Sequence, residues 1–242
     1  MKKRIKKIIK ISLSVFLILD YLKFKKFHDK RFSLKLIDFY PRLNDKTIKT
    51  GFDRHYVYHT SWAARKVKEI NPEFHVDISS SLYFSGIVSA FVPVKFYDYR
   101  PAQLKLSNLQ SNSCDLLKLY FPDNSIKSLS CMHTVEHIGL GRYGGAINPD
   151  GDIQACKELS RVLAVDGRLI FAVPIGKPKI EFNAHRIYSY EQVLSLFPDL
   201  KLIEFSIITD MVEQGDFIEN ADSQLVQSQN YACGCFLFRK QI

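Results

Sequence analysis

The run Arg168 to Val173, RLIFAV, constrains this chain more than any other segment. Leu169 to Val173 are apolar at consecutive positions and leave no polar face, so a strand here is buried on both sides. That is the signature of a parallel sheet covered by helices on each face. The neighbouring segments agree with it. Ser61–Ile70 reads as a helix ended by Asn71-Pro72, His75–Ile78 as a strand, Leu82–Ala90 as a helix and Val92–Asp98 as a second strand. Ser128–Met132 is a further strand behind the turn Pro122 to Ser125. Ile153, Cys156, Leu159 and Leu163 recur at helical spacing, and the Asp166-Gly167 turn then feeds RLIFAV. Ser189–Phe197 reads as a helix, with Leu200–Thr209 and Tyr231–Arg239 as closing strands. Six or seven strands with interleaved helices predict an α/β, doubly wound, mostly parallel Rossmann-like sheet.

Charge is distributed unevenly. Net charge is +9, yet residues 1–31 hold 11 of the 34 Lys and Arg and only Asp20 and Asp29 among the acids, which leaves 23 of each sign in the remainder. A basic nucleic-acid groove needs its charge on the folded body, so nucleic acid is not an expected partner. The apolar stretch Ile11–Leu19 is too short to span a bilayer, which takes roughly 20 residues. No small-residue cleavage site follows it. Residues 1–31 are therefore expected to form a helical extension lying on, or shallowly anchored in, an anionic cytoplasmic membrane face, with a short signal anchor or a helix packed on protein as the alternatives. Residues 32–242 form the body. Cys114, Cys131, Cys156, Cys233 and Cys235 are odd in number and lack a CxxC pair, which fits reduced thiols and predicts no metal site. Cys233 and Cys235 read as small residues on one strand face.

In an open α/β sheet, ligands sit beyond the carboxyl ends of the strands. Three acids fall there: Asp77, Asp98 and Asp115. Asp98 suits two ribose hydroxyls, Asp115 an adenine amino group, and Asp77 a cationic amino-acid moiety, with helix capping or turn formation as the plain alternative for each.

Asp115-LLKLYFPDNSIKSLSCMHTVEHI, the helix IQACKELSRVL and the strand RLIFAVP resemble the central part of class I S-adenosylmethionine-dependent methyltransferases. HVDISSS, EHIGLGRYGG, FNAHRIYSYEQ and YACGCFLFRK resemble, more specifically, the related family called domain of unknown function 268. The resemblance covers roughly residues 40–240 and implies a class I methyltransferase fold, S-adenosylmethionine as cofactor and methyl transfer. Methyltransferases usually carry a glycine-rich loop after the first strand, whereas this chain has Ser79, Ser80 and Ser81. Serine has a Cβ and resists φ > 0, although Ser79 and Ser81 can still line a carboxylate site.

Glu136, His137, Arg142 and Tyr143 cluster among Gly139, Gly141, Gly144 and Gly145, which suggests a mobile loop over the strand ends. In methyl transfer the protein orients an acceptor and removes its proton. Glu136, His137, Tyr143 and His185 are the candidate catalytic residues, with His137 or His185 as base. Arg142 and Arg186 can clamp an acidic group on the acceptor, and Asn183 can orient a hydroxyl, which fits a small-molecule, glycan or glycolipid acceptor. His133-x-x-Glu136-His137 also matches a zinc-hydrolase pattern, but that pattern requires a helix and SLSCM before it reads as a strand. The remaining alternative is a non-catalytic binding module of the same fold at the membrane.

Overall fold

The computed structural model describes residues 16–29, 31–211, 213 and 215–241. Met1–Phe52 and Asp53–Ile242 are separate compact units. In the first, residues 16–27 form helix α1, and Tyr21 meets Phe39 edge-on at 5.4 Å. The polybasic start and the first half of the Ile11–Leu19 stretch lie outside the described residues. Among the described residues, no helix is long and apolar enough to cross a membrane.

The second unit holds β1 (His75–Ile78), β2 (Val94–Asp98), β3 (Leu109–Ser113), β4 (Ile126–Met132), β5 (Leu163–Ile175), β6 (Lys179–Glu181), β7 (His185–Ile187), β8 (Leu200–Ile208), β9 (Phe217–Ile218) and β10 (Ala232–Lys240). Eight of these make one sheet in the order β3-β2-β1-β4-β5-β10-β8-β9. The pairs from β3 through β5 are parallel. β10 runs antiparallel between β5 and β8. The order runs outward from β1 in both directions, which places a topological switch point between β1 and β4. β6 and β7 form a separate two-stranded ribbon.

Period-two alternation sorts the core into two layers. Along β5, Leu169, Phe171, Val173 and Ile175 face one side, where α4 (Gly151–Val162) and α5 (Tyr190–Leu196) pack with Leu159 and Val193. Ile170 and Ala172 face the other, against Trp62, Ala63 and Val67 of α2 (Arg54–Ile70) and Phe84 of α3 (Leu82–Val88). Cys233 and Cys235 of β10 lie on this second side. The sheet is thus the expected doubly wound, mostly parallel one.

Three local features differ from the sequence reading. α2 begins two turns before Ser61, because Asp53 caps it by accepting from the Tyr56 amide at 3.1 Å. The aromatic and β-branched HYVYHT segment has weak intrinsic propensity and hides that start. Asp166 and Gly167 do not separate two elements: they lie inside β5, with Asp166 at φ 61°, where the β4 register shifts. β3, LQSNS, carries no alternating apolar pattern because it is an edge strand with exposed residues.

Candidate active site at the strand ends

The carboxyl ends of β1, β2 and β4 open onto a cavity of about 490 Å³. Its lining includes Tyr56, Ser79, Ser80, Ser81, Asp98, Arg100, Asp115, His133, His137, Arg142 and Tyr143. Ser79 occupies φ 57°, the left-handed conformation that the serine sequence argued against. Three contacts hold the loop in place. The Ser79 amide donates to Tyr97 O at 2.7 Å, Thr134 Oγ1 donates to Ser79 O at 3.0 Å, and the Met132 amide donates to Ser80 Oγ at 3.0 Å. The loop is thereby fixed between the ends of β2 and β4 in the turn that a glycine would otherwise supply.

Asp98 and Asp115 both line the cavity, each held by a local turn. Asp98 Oδ1 accepts from the Arg100 amide at 2.7 Å, and Asp115 Oδ1 from the Leu117 amide at 2.9 Å. Asp98 Oδ2 has no partner among the described residues. Asp77 is placed differently. It is fully buried and absent from the lining, with Oδ1 accepting from Ser130 Oγ at 2.6 Å and Oδ2 from Ser85 Oγ. Burial pushes its carboxyl up to about 6, against the hydroxyls that favour the charged form. Its expected place beside a cofactor is corrected: Asp77 is level with Phe96, two residues before Asp98, so its side chain lies deeper along the sheet, enclosed by Ser85 and Ser130. Ser130 also accepts from His75 Nε2 at 2.9 Å, and burial lowers that imidazole to about 3.

The glycine loop folds back on itself rather than standing open. Leu140 pairs antiparallel with Ile147, and the Asn148 amide donates to Gly139 O at 3.0 Å. A Cβ on Gly139, at φ +79°, would lie 1.9 Å from Asn148 O, so the turn excludes a side chain there. Tyr143 is held between two guanidinium groups, Arg100 at 4.9 Å and Arg142 at 5.0 Å from the ring centroid. His137 packs edge-on to the same ring at 5.5 Å. Its Nδ1–H donates to Ala184 O at 2.6 Å, while Arg142 Nη1 lies 3.4 Å from Nε2 and donates to Ala184 O at 3.1 Å. Burial is the main cause that lowers the His137 pKa, and the Arg142 charge adds to it.

Arg186 is not free to clamp an acceptor. It is buried, and its guanidinium donates to Ile138 O at 2.6 Å and Pro149 O at 3.0 Å, with Nε 3.5 Å from Asp152 Oδ2. These bonds tie down both ends of the glycine loop, so its expected role as a clamp is corrected to a structural one. Asn183 is exposed and does not line the cavity; nor does His185, which lies beside Tyr231 with ring centroids 5.1 Å apart.

Glu136 is buried behind the lining, accepting from His133 Nδ1 at 2.9 Å. Burial opposes a charge on His133, but its contacts with Cys233 and Glu136 outweigh it and raise the imidazole pKa. The carboxylate is the physical source of that effect, because burial holds the Cys233 thiol well above its ordinary range and so uncharged. His133 sits at φ 52° directly after β4, and Val135–His137 is a single 3-10 turn. The helix that a zinc-hydrolase H-x-x-E-H pattern requires is therefore absent here. Sequence reasoning missed Tyr56, His55 and His59 on the first turns of α2; the i, i+4 histidine pair behind Asp53 is the signal that marks them.

The family described as Caenorhabditis protein of unknown function, DUF268, matches residues 113–232. The DUF268 segment runs from the end of β3 to the start of β10 and holds the glycine loop, Glu136, His137 and Arg186. α2, Asp77 and Asp98 precede it. Three solved structures share the fold. A provisional sarcosine dimethylglycine methyltransferase from Galdieria sulphuraria is 13% identical, with 76% of this chain and 86% of that one covered and a TM-score of 0.55. The 1,6-didemethyltoxoflavin-N1-methyltransferase of Burkholderia thailandensis, with bound 1,6-didemethyltoxoflavin and S-adenosylhomocysteine, is 11% identical over 76% and 79%, at 0.53. A provisional methyltransferase from Bacillus halodurans C-125 is 12% identical over 74% and 99%, at 0.51. The fold is that of class I methyltransferases. No curated protein matches the sequence.

Proposed function

We propose that the protein is an S-adenosylmethionine-dependent methyltransferase acting on an oxygen or nitrogen of a polar acceptor, a glycan or glycolipid intermediate fitting best. The observation that carries this reading is the cavity at the switch point of a class I sheet, with the carboxylate of Asp98 facing into it from the end of β2. The residues present fit the cofactor. Asp98 Oδ2 is available to ribose hydroxyls, Asp115 lies beyond it for the adenine amino group, and the pinned Ser79 turn brings backbone and hydroxyls to the end of β1. S-adenosylmethionine, when bound, supplies an electrophilic methyl group and leaves as S-adenosylhomocysteine.

The chain's own contribution is orientation and proton removal. The Ala184 carbonyl fixes the His137 tautomer with the proton on Nδ1, and the lowered pKa keeps Nε2 unprotonated at neutral pH. In this reading Nε2 takes the acceptor's proton as the acceptor atom bonds to the methyl carbon. Arg142 and Tyr143 form the rim over the acceptor, where a guanidinium beside an exposed ring suits a sugar or a phosphorylated sugar. Membrane attachment through residues 1–31 is part of the same proposal. On α1, Phe16, Leu19, Leu22, Phe24 and Phe27 are exposed beside Lys23, Lys25 and Lys26, as suits an anionic surface. Co-sedimentation with phosphatidylserine vesicles, lost at high salt, tests it.

Calorimetric titration of S-adenosylmethionine and S-adenosylhomocysteine into the full chain tests the core of the proposal. Micromolar binding, about −8 kcal/mol, that disappears in Asp98→Ala is the expected result. No heat at millimolar cofactor would overturn it and leave a binding module of this fold.

A further inference from the structure

Behind the cavity wall, three side chains far apart in sequence converge. His59 from α2, His133 after β4 and Cys233 from β10 bring one ligand-type atom each to within 4.8 Å of one another. Their surroundings match the way metal-binding imidazoles are held. His59 is fully buried; its Nδ1–H donates to His55 O at 2.6 Å, and its Nε2 has no partner among the described residues. An unpaired buried imidazole nitrogen costs stability unless something occupies it. His133 is oriented in the same fashion, with Nδ1–H donating to the Glu136 carboxylate at 2.9 Å and Nε2 facing Cys233 Sγ at 3.3 Å. A backbone carbonyl behind one histidine and a carboxylate behind the other are the supports that fix tautomer and aim at a metal.

We propose that His59, His133 and Cys233 bind one divalent transition-metal ion of the zinc class, through both Nε2 atoms and the Cys233 thiolate. Imidazole with thiolate selects zinc over magnesium or calcium. Ligands at about 2.0–2.3 Å from a tetrahedral ion stand roughly 3.4–3.6 Å apart; His133 Nε2 and Cys233 Sγ, 3.3 Å apart, already have that spacing, and His59 closes toward them by up to about 1 Å on binding. The Cys233 thiol proton, and any proton on His133 Nε2, leave to solvent as the metal bonds form. Three protein ligands leave a fourth position, and both His133 and Tyr56 line the cavity. That position is therefore for a water or an acceptor oxygen rather than a fourth side chain. Cys233, whose place on the strand suggested only packing, gains a role, and His133 enters with partners other than the H-x-x-E-H pattern offers.

The test needs no methyl donor, so its failure is separate from failure of the methyltransferase reading. The full chain is stripped with chelator and titrated with cobalt(II), then with zinc. One equivalent of cobalt is expected to give intense visible bands of four-coordinate geometry and a near-ultraviolet sulfur-to-cobalt charge-transfer band, both abolished by zinc. Cys233→Ser is expected to remove the charge-transfer band, and His59→Gln to weaken binding at least a hundredfold. Glu136→Gln is expected to weaken binding by about 10–100-fold. Cys156→Ala, on the opposite face of the sheet, is expected to leave the spectrum unchanged. Absence of a stoichiometric cobalt spectrum from the unsubstituted protein would overturn the proposal, whatever the variants do. A charge-transfer band that survives Cys233→Ser would overturn it as well.

Discussion

The two walls of the cavity are built on opposite principles. On the side of β2 and β3, Asp98 and Asp115 reach the lining as acids held by single turn hydrogen bonds, each with an oxygen left over. On the side of α2, β4 and β10, the polar groups are buried, and burial pushes their titrations away from ordinary values: His59 well down and Cys233 well up. The first wall suits reading a ligand, since its groups keep their water until something displaces it. In the second, any unmet polar atom is costly, so each group either has a partner or needs one. Substitutions on the first wall should therefore change binding and spare the fold, while those behind the second should change the fold.

The largest effect falls on a further buried group, Arg186 of β7, which like those of the second wall has its partners inside the protein. Arg186→Ala leaves the carbonyls of Ile138 and Pro149 without their donor and Asp152 with only the Tyr188 hydroxyl, and is expected to cost about 3 kcal/mol. Thermal unfolding would show a midpoint lower by roughly 6–12 °C for a unit of this size. An unchanged midpoint with weakened acceptor binding would restore Arg186 to the role of clamp and erase the distinction. Gly139→Ala puts a Cβ against Asn148 O and is expected to cost about 2 kcal/mol, measured by urea denaturation.

Smaller and opposite in kind is Asp115→Ala. Nucleoside binding should weaken about fivefold, close to 1 kcal/mol, with the melting midpoint unmoved within error; a large midpoint drop would assign this acid to the fold instead. The smallest effect concerns pH. His75 is lowered to about 3 by burial, against about 6.5 when unfolded. The stability gained by keeping it neutral is complete above about pH 6.5 and is lost as pH falls toward 3. Asp77, raised to about 6 on the same hydrogen-bond chain, has the reverse slope and loses its contribution as pH rises through that value. His75→Gln is expected to flatten the fall in melting midpoint between pH 7 and pH 5, and an unaltered fall would move the acid sensitivity to other buried histidines.

The sequence by itself determined the sheet and the open wall. A run of apolar residues such as RLIFAV has one stable environment, and strand ends in such a sheet fall on one edge, so Asp98 and Asp115 were legible from hydropathy and order alone. Glu136, His137, Arg142 and Tyr143 were legible as a cluster because a short glycine-rich loop keeps them together. Tertiary structure decided what lies on which face. Asp77 and Asp98 lie near the ends of neighbouring strands and look alike in sequence, but the register sets Asp77 level with Phe96, two residues deeper than Asp98, and encloses it among Ser85 and Ser130. Arg142 and Arg186 look equally suited to an acidic ligand until the loop carbonyls engage the second. His59, His133 and Cys233 share no local signal, since they come from a helix, a strand end and the last strand. Sequence patterns report neighbours three or four residues apart, whereas convergence of such distant positions follows only from how the layers pack.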